Sequence, residues 1–172
     1  MKSTLLICIC LFISLFSYSQ KSIELSFQQD ARLLLVGDDK GNYPLTFNFL
    51  AKAEIPVFKI KKNHISIYPT VEYADLVGGN YQRYAFGAAY AVESLYGKIG
   101  ATAFFDYGNI YRKGADQSFS SFSLSGELSY KINNWLKVTC TQQLTQRKDL
   151  KVLYDSKNEY VISGFFGLKF AL

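Results

Sequence analysis

Residues 121–132 read Ser121-Phe122-Ser123-Leu124-Ser125-Gly126-Glu127-Leu128-Ser129-Tyr130-Lys131-Ile132. Apolar side chains fall at Phe122, Leu124, Leu128, Tyr130 and Ile132, with serine, glutamate and lysine between them. A strand sends successive side chains to opposite faces, so this stretch specifies a ribbon with one apolar and one polar face. Working outward, no segment after residue 20 keeps a helical period, and the two-residue alternation returns on both sides. Upstream it passes through Ile23, Leu25 and Phe27; then Leu45 to Ile55; Ile65 to Tyr73; Tyr84 to Val92; and Ile99 to Tyr107. Downstream it passes through Leu136 to Leu144 and Tyr160 to Leu172. Eight strands are therefore expected, and the fold class is all-β. Pro56 is expected to end the second strand, and Pro69 to cause a bulge or break, because proline cannot donate to a ladder.

Alternation alone does not say which face points inward. A soluble ligand-carrying barrel places the apolar face inside, whereas a membrane barrel inverts it. The apolar faces here carry almost no charge, Asp75 being the exception. The polar faces are rich in small residues, such as Ala85, Gly87, Ala89 and Ala91, which suit the narrow interior of an eight-stranded barrel. The connections also alternate in length. Short ones are expected at 56–63, 93–96 and Asn133-Asn134, and long ones at 29–42, 76–82, 108–118 and 147–159. Short turns at one end and long loops at the other are the habit of transmembrane barrels. The expected architecture is an eight-stranded antiparallel up-and-down transmembrane β-barrel, with a soluble periplasmic barrel as the alternative.

The first residues point to export. Leu5 to Phe16 is an apolar run broken only by Ser14, preceded by Lys2 and followed by Ser17-Tyr18-Ser19-Gln20. About 12 apolar residues are too few for a spanning helix and match the core of a secretory signal. Residues 1–19 are read as a signal peptide cleaved after Ser19 or Gln20, and 20–172 as the barrel. Cys8 and Cys10 leave with the signal, so Cys140 alone remains and no disulfide or cysteine metal site can form. The formal charge of +5 has one tight basic cluster, Lys59, Lys61 and Lys62, which reads as a solvated turn and not as a nucleic-acid surface.

The chain ends on Tyr160-Val161-Ile162-Ser163-Gly164-Phe165-Phe166-Gly167-Leu168-Lys169-Phe170-Ala171-Leu172. With the eight-strand pattern, this resembles the small eight-stranded outer-membrane β-barrel proteins of Gram-negative bacteria. Members of that group finish on a strand with alternate apolar residues, read by the barrel-assembly machinery. Phe166, Leu168, Phe170 and Leu172 hold those places, with Leu172 where an aromatic is usual. The resemblance implies a bacterial outer-membrane location. Its implied partners are outer-membrane lipid and lipopolysaccharide, the assembly machinery during insertion, and an extracellular or envelope protein. It includes adhesins, structural anchors, pores and lipid-modifying enzymes, so it fixes no activity.

The residues themselves favour no chemistry. His64 is the only histidine. A Ser-His-carboxylate set could be drawn from His64, Ser66 and Glu72, but His64 lies beside a short turn and reads as a hydrogen-bonded lumen or turn residue. No catalytic residue, metal site or cofactor is expected. The strand register sends twelve charges inward: Glu24, Glu54, Glu72, Glu93, Asp106 and Glu127 against Lys52, Arg83, Lys98, Lys131, Lys137 and Lys169. Six of each sign read as a paired network filling the lumen, where an ion-selective pore would show one dominant sign. The aromatic residues near strand ends, Tyr43, Tyr73, Tyr84, Tyr107, Tyr130, Trp135 and Tyr160, fit interfacial girdles. The functional expectation is a non-enzymatic barrel with a structural or surface-interaction role carried by its extracellular loops. The alternatives are a small passive pore and a lipid-modifying enzyme.

Overall fold

The computed structural model describes residues 23–38, 41–77 and 79–172; the expected signal peptide lies outside them. Eight strands follow in chain order: β1 (Glu24–Asp30), β2 (Asn48–Ile60), β3 (Asn63–Ala74), β4 (Tyr81–Tyr96), β5 (Ile99–Arg112), β6 (Phe119–Lys131), β7 (Leu136–Gln146) and β8 (Tyr160–Ala171). Each runs antiparallel to its sequence neighbour, and β1 also pairs with β8, with Leu25 opposite Phe170. The sheet therefore closes and leaves no free edge.

The barrel is apolar outside and polar inside. Among the described residues, 26 polar or charged side chains are buried against 11 apolar ones. Phe27, Phe86, Phe105, Leu124, Leu128 and Phe166 are exposed on the outer face. A run of rings crosses that face from β2 to the β6–β7 turn. Phe47 stacks on Phe49, Phe49 on Phe27, Phe27 meets Phe170, and Trp135 lies over Phe170, with centroids 5.8–6.3 Å apart. Such cross-strand aromatic pairs bind neighbouring strands together.

The short connections are Lys61-Lys62, Gly97-Lys98 and 132–135, and the long ones occupy the opposite end. Several boundaries differ from the sequence expectation. Pro56 does not end β2: the strand continues to Ile60, and the register shifts between Pro56 and Phe58. A bulge absorbs the missing donor there. At Pro69 the β2–β3 ladder passes from Lys52–Thr70 to Ile55–Ile67, while pairing with β4 continues in register. The stretch 93–96, expected as a turn, belongs to β4. Leu45, expected to open the second strand, sits in a turn at φ 68°.

Two helices also appear where none was expected, α1 (Ala31–Leu35) and α2 (Lys148–Tyr154), both in long loops. Each is too short to show a helical period. Asp30 caps α1 by accepting from Leu33 N at 3.0 Å. Asp155 closes α2 in the left-handed conformation.

Candidate functional site

Inside the barrel the charges form two clusters. The one nearer the short turns centres on Glu127, whose carboxylate accepts from Lys169, from Lys52 at 3.3 Å, from Gln28 at 2.9 Å and from Thr141 at 3.1 Å. Lys169 also reaches Glu54 at 2.7 Å and Glu24 at 3.9 Å, and Lys137 pairs with Glu24 at 2.6 Å. Phe104 separates this cluster from the long-loop side of the lumen, with Lys52 Nζ 3.7 Å from its ring centre.

The second cluster lies above Phe104. Arg83 pairs with Asp106 and donates to Ser121 Oγ at 3.2 Å. Tyr68 donates to Asp106 at 2.8 Å, and Tyr81 to Glu72 at 3.3 Å. Tyr68 meets Phe104 edge to face at 5.1 Å. Tyr68, Phe104 and Phe165 are each at most 1 % exposed, so rings and ion pairs occupy the interior.

Of the twelve charges expected inside, Glu24, Lys52, Glu54, Glu72, Arg83, Asp106, Glu127, Lys137 and Lys169 occupy the two clusters. Glu93, Lys98 and Lys131 are instead exposed at the short-turn end. Glu93 and Lys131 lie toward strand ends and Lys98 in the turn between β4 and β5, at the rim where strand parity no longer separates lumen from solvent. His64 is buried, with Nδ1 3.4 Å from Glu93 Oε1, and Glu72 is held by Tyr81. The three residues of the hypothetical triad are therefore not assembled. Phe166, Leu168 and Leu172 are exposed on the outer face, and Phe170 is half-covered by its aromatic neighbours.

The long-loop end holds a feature that the alternation of the strands does not reach. Asp149 on α2 is fully buried and receives both nearby arginines. Arg147 donates to its two oxygens at 2.8 Å each, and Arg112 Nε donates at 2.9 Å. Arg112 also donates to Gly79 O at 2.8 Å, which ties the β3–β4 connection to α2. Arg147 stacks over the Tyr81 ring at 4.1 Å. Burial pushes the Asp149 carboxyl up, but the hydrogen bonds and charge of Arg147, then of Arg112, hold it below the usual aspartate value. Burial pulls the Arg147 guanidinium down, and Asp149 more than offsets this, so it stays firmly charged.

Beside this cap opens a cavity of about 500 Å³ lined by Asp30, Asn48, Leu76, Arg112, Arg147 and Tyr154, among others. Its walls mix both signs of charge with apolar surface. The cavity is a recess in the mouth, with buried rings and ion pairs beneath it.

The chain matches no family model and no curated protein. Among solved structures it is similar to the outer membrane protein Ail of Yersinia pestis in a phospholipid bilayer nanodisc. That match has 12% identity and a TM-score of 0.53, and covers 88% of this chain and 98% of that one. It is also similar to Neisserial surface protein A, at 10% identity and a TM-score of 0.50, covering 87% of this chain and 94% of that one. At these identities the likeness concerns the fold: this chain is a closed, eight-stranded, antiparallel up-and-down β-barrel of the kind seen in small outer-membrane proteins.

Proposed function

We propose that the chain is a non-enzymatic integral protein of a bacterial outer membrane, with a structural or surface-interaction role carried by its long loops. The observation that carries this reading is the reversed polarity of the barrel. Buried ion pairs line the inside and aromatic and aliphatic side chains cover the outside, an arrangement favoured in lipid and unfavourable in water. The long loops then face the exterior and the short turns the periplasm. The filled lumen supports a closed barrel over a passive pore.

Three measurements test this. In planar bilayers the purified protein gives no steady unit conductance; reproducible steps of fixed size would make the pore reading the better one. In a Cys140→Ser background, a cysteine at position 151 is labelled by an impermeant maleimide on intact cells. A cysteine at position 61 is labelled only after the outer membrane is opened, and the reverse pattern inverts the orientation.

The third uses Gln142, exposed on the outer face of β7 and paired in register with Gly126 and Gly164. An amide facing hydrocarbon is costly, so Gln142→Leu should raise the unfolding free energy in vesicles by about 1 kcal/mol. An unchanged or lowered value would place position 142 in water.

A further inference from the structure

The charge of this barrel is unevenly placed. The two interior clusters are largely self-neutralising, and the long-loop end mixes acids and bases in nearly equal numbers. Among the described exposed residues, the short-turn end instead carries Lys59, Lys61, Lys62, Lys98 and Lys131 against the acid Glu93. Lys59 is paired with Glu93 at 3.2 Å, and among the described residues no ion pair holds Lys61, Lys62, Lys98 or Lys131.

These lysines stand on a protruding lip. Beyond Pro56 both faces of β2 are uncovered, with Val57, Phe58, Lys59 and Ile60 all exposed. The adjoining end of β4 exposes Leu95 and Tyr96. Glu93 N donates to Lys62 O at 3.0 Å, so the β2–β3 turn lies against β4 beside its exposed end. Lys61 adopts φ 54° in a two-residue turn, a conformation that glycine takes without strain. A lysine therefore stands where the backbone favours glycine.

We infer that this lip is a headgroup-binding surface for anionic phospholipid in the periplasmic leaflet. The inference rests on the membrane orientation proposed above. Apolar side chains beside flexible lysines match the boundary between acyl chains and phosphates. Phe58, Ile60, Leu95 and Tyr96 enter the interfacial layer, and the ammonium groups extend from it to the phosphates. An acidic protein would satisfy the lysines but gives no reason for this apolar surface to follow the outer wall.

The test uses the folded full barrel in nanodiscs of mixed phosphatidylcholine and phosphatidylglycerol, with retained lipid counted by native mass spectrometry. Wild type should keep phosphatidylglycerol over its bulk share by roughly threefold or more, and less in high salt. Lys59→Gln, Lys61→Gln, Lys62→Gln and Lys98→Gln combined should return the ratio to bulk. The matching change at Lys113, Lys148, Lys151 and Lys157 in the long loops should leave enrichment in place. Lys61→Gly alone should preserve the fold, read by heat-modifiability on a gel, and reduce enrichment. Retention at the bulk ratio in wild type, or enrichment that survives the fourfold turn variant, overturns the headgroup site and leaves the membrane reading standing. Failure of the wild-type chain to insert into any bilayer overturns both.

Discussion

Glu127→Ala should lower the unfolding free energy by about 3–5 kcal/mol, the usual result of removing one partner from a buried ion pair. The Glu127 side chain has no exposed surface and anchors two ammonium groups and two neutral donors. Alanine strands those groups unequally. Lys169 keeps Glu54 at 2.7 Å, whereas Lys52 keeps only the face of Phe104 at 3.7 Å. The cost should fall mainly on Lys52, so Glu127→Ala with Lys52→Met should recover much of it, a coupling read by a double-mutant cycle. Urea unfolding in vesicles supplies the numbers. A loss under about 1 kcal/mol would mean that water reaches and screens the cluster. The lumen would then be open, and the passive pore would gain ground.

Asp149→Ala should release the cap over the mouth while leaving the barrel folded. Alanine leaves two buried guanidinium groups facing each other, a change that costs about 2–5 kcal/mol in comparable pairs. Here the cost is met locally, because α2 and its flanking loop can detach without breaking a strand pair. Hydrogen exchange across residues 147–159 should accelerate, and a protease should cut at Lys148 or Lys151 in folded protein. The pH dependence has a fixed sign. The native carboxyl titrates below its ordinary value of 3.8, so its contribution is complete above that pH. It is lost as the pH falls through the depressed native value. Protection of the loop should therefore be flat from neutral pH down to about 5 and fall in stronger acid. Protection already lost near pH 6 would show that Asp149 is not the pin. A variant that unfolds globally would show that the cap and wall are one cooperative unit.

Much of this architecture was legible in the order of residues. The alternation through Ser121 to Ile132, repeated along the chain, fixed strand identity and which side chains share a face, because strand geometry is local and has a period of two. The alternation of short and long connections fixed the up-and-down order and the two unlike ends. The nine charges of the interior clusters were readable as inward-facing from parity alone. Proline was less informative, since its missing donor can be absorbed by a bulge in a strand that continues, as at Pro56.

Pairing within the lumen was decided only by the closed barrel. Lys52 meets Glu127 across 75 residues and Lys137 meets Glu24 across 113, contacts set by strand tilt and stagger and invisible to a two-residue pattern. The same is true of Asp149. In sequence it is one acid in a run of mixed charge, and it becomes a buried anchor because the end of β5 delivers Arg112 beside the end of β7. Parity failed for Glu93, Lys98 and Lys131 for a related reason: it assigns a face, and a face acquires an inside only where other strands enclose it. The sequence by itself thus determined the strands, their order and the two faces of the wall. Only closure of the sheet determined which charges are buried, which partners they find, and which end of the barrel is left with unmatched lysines.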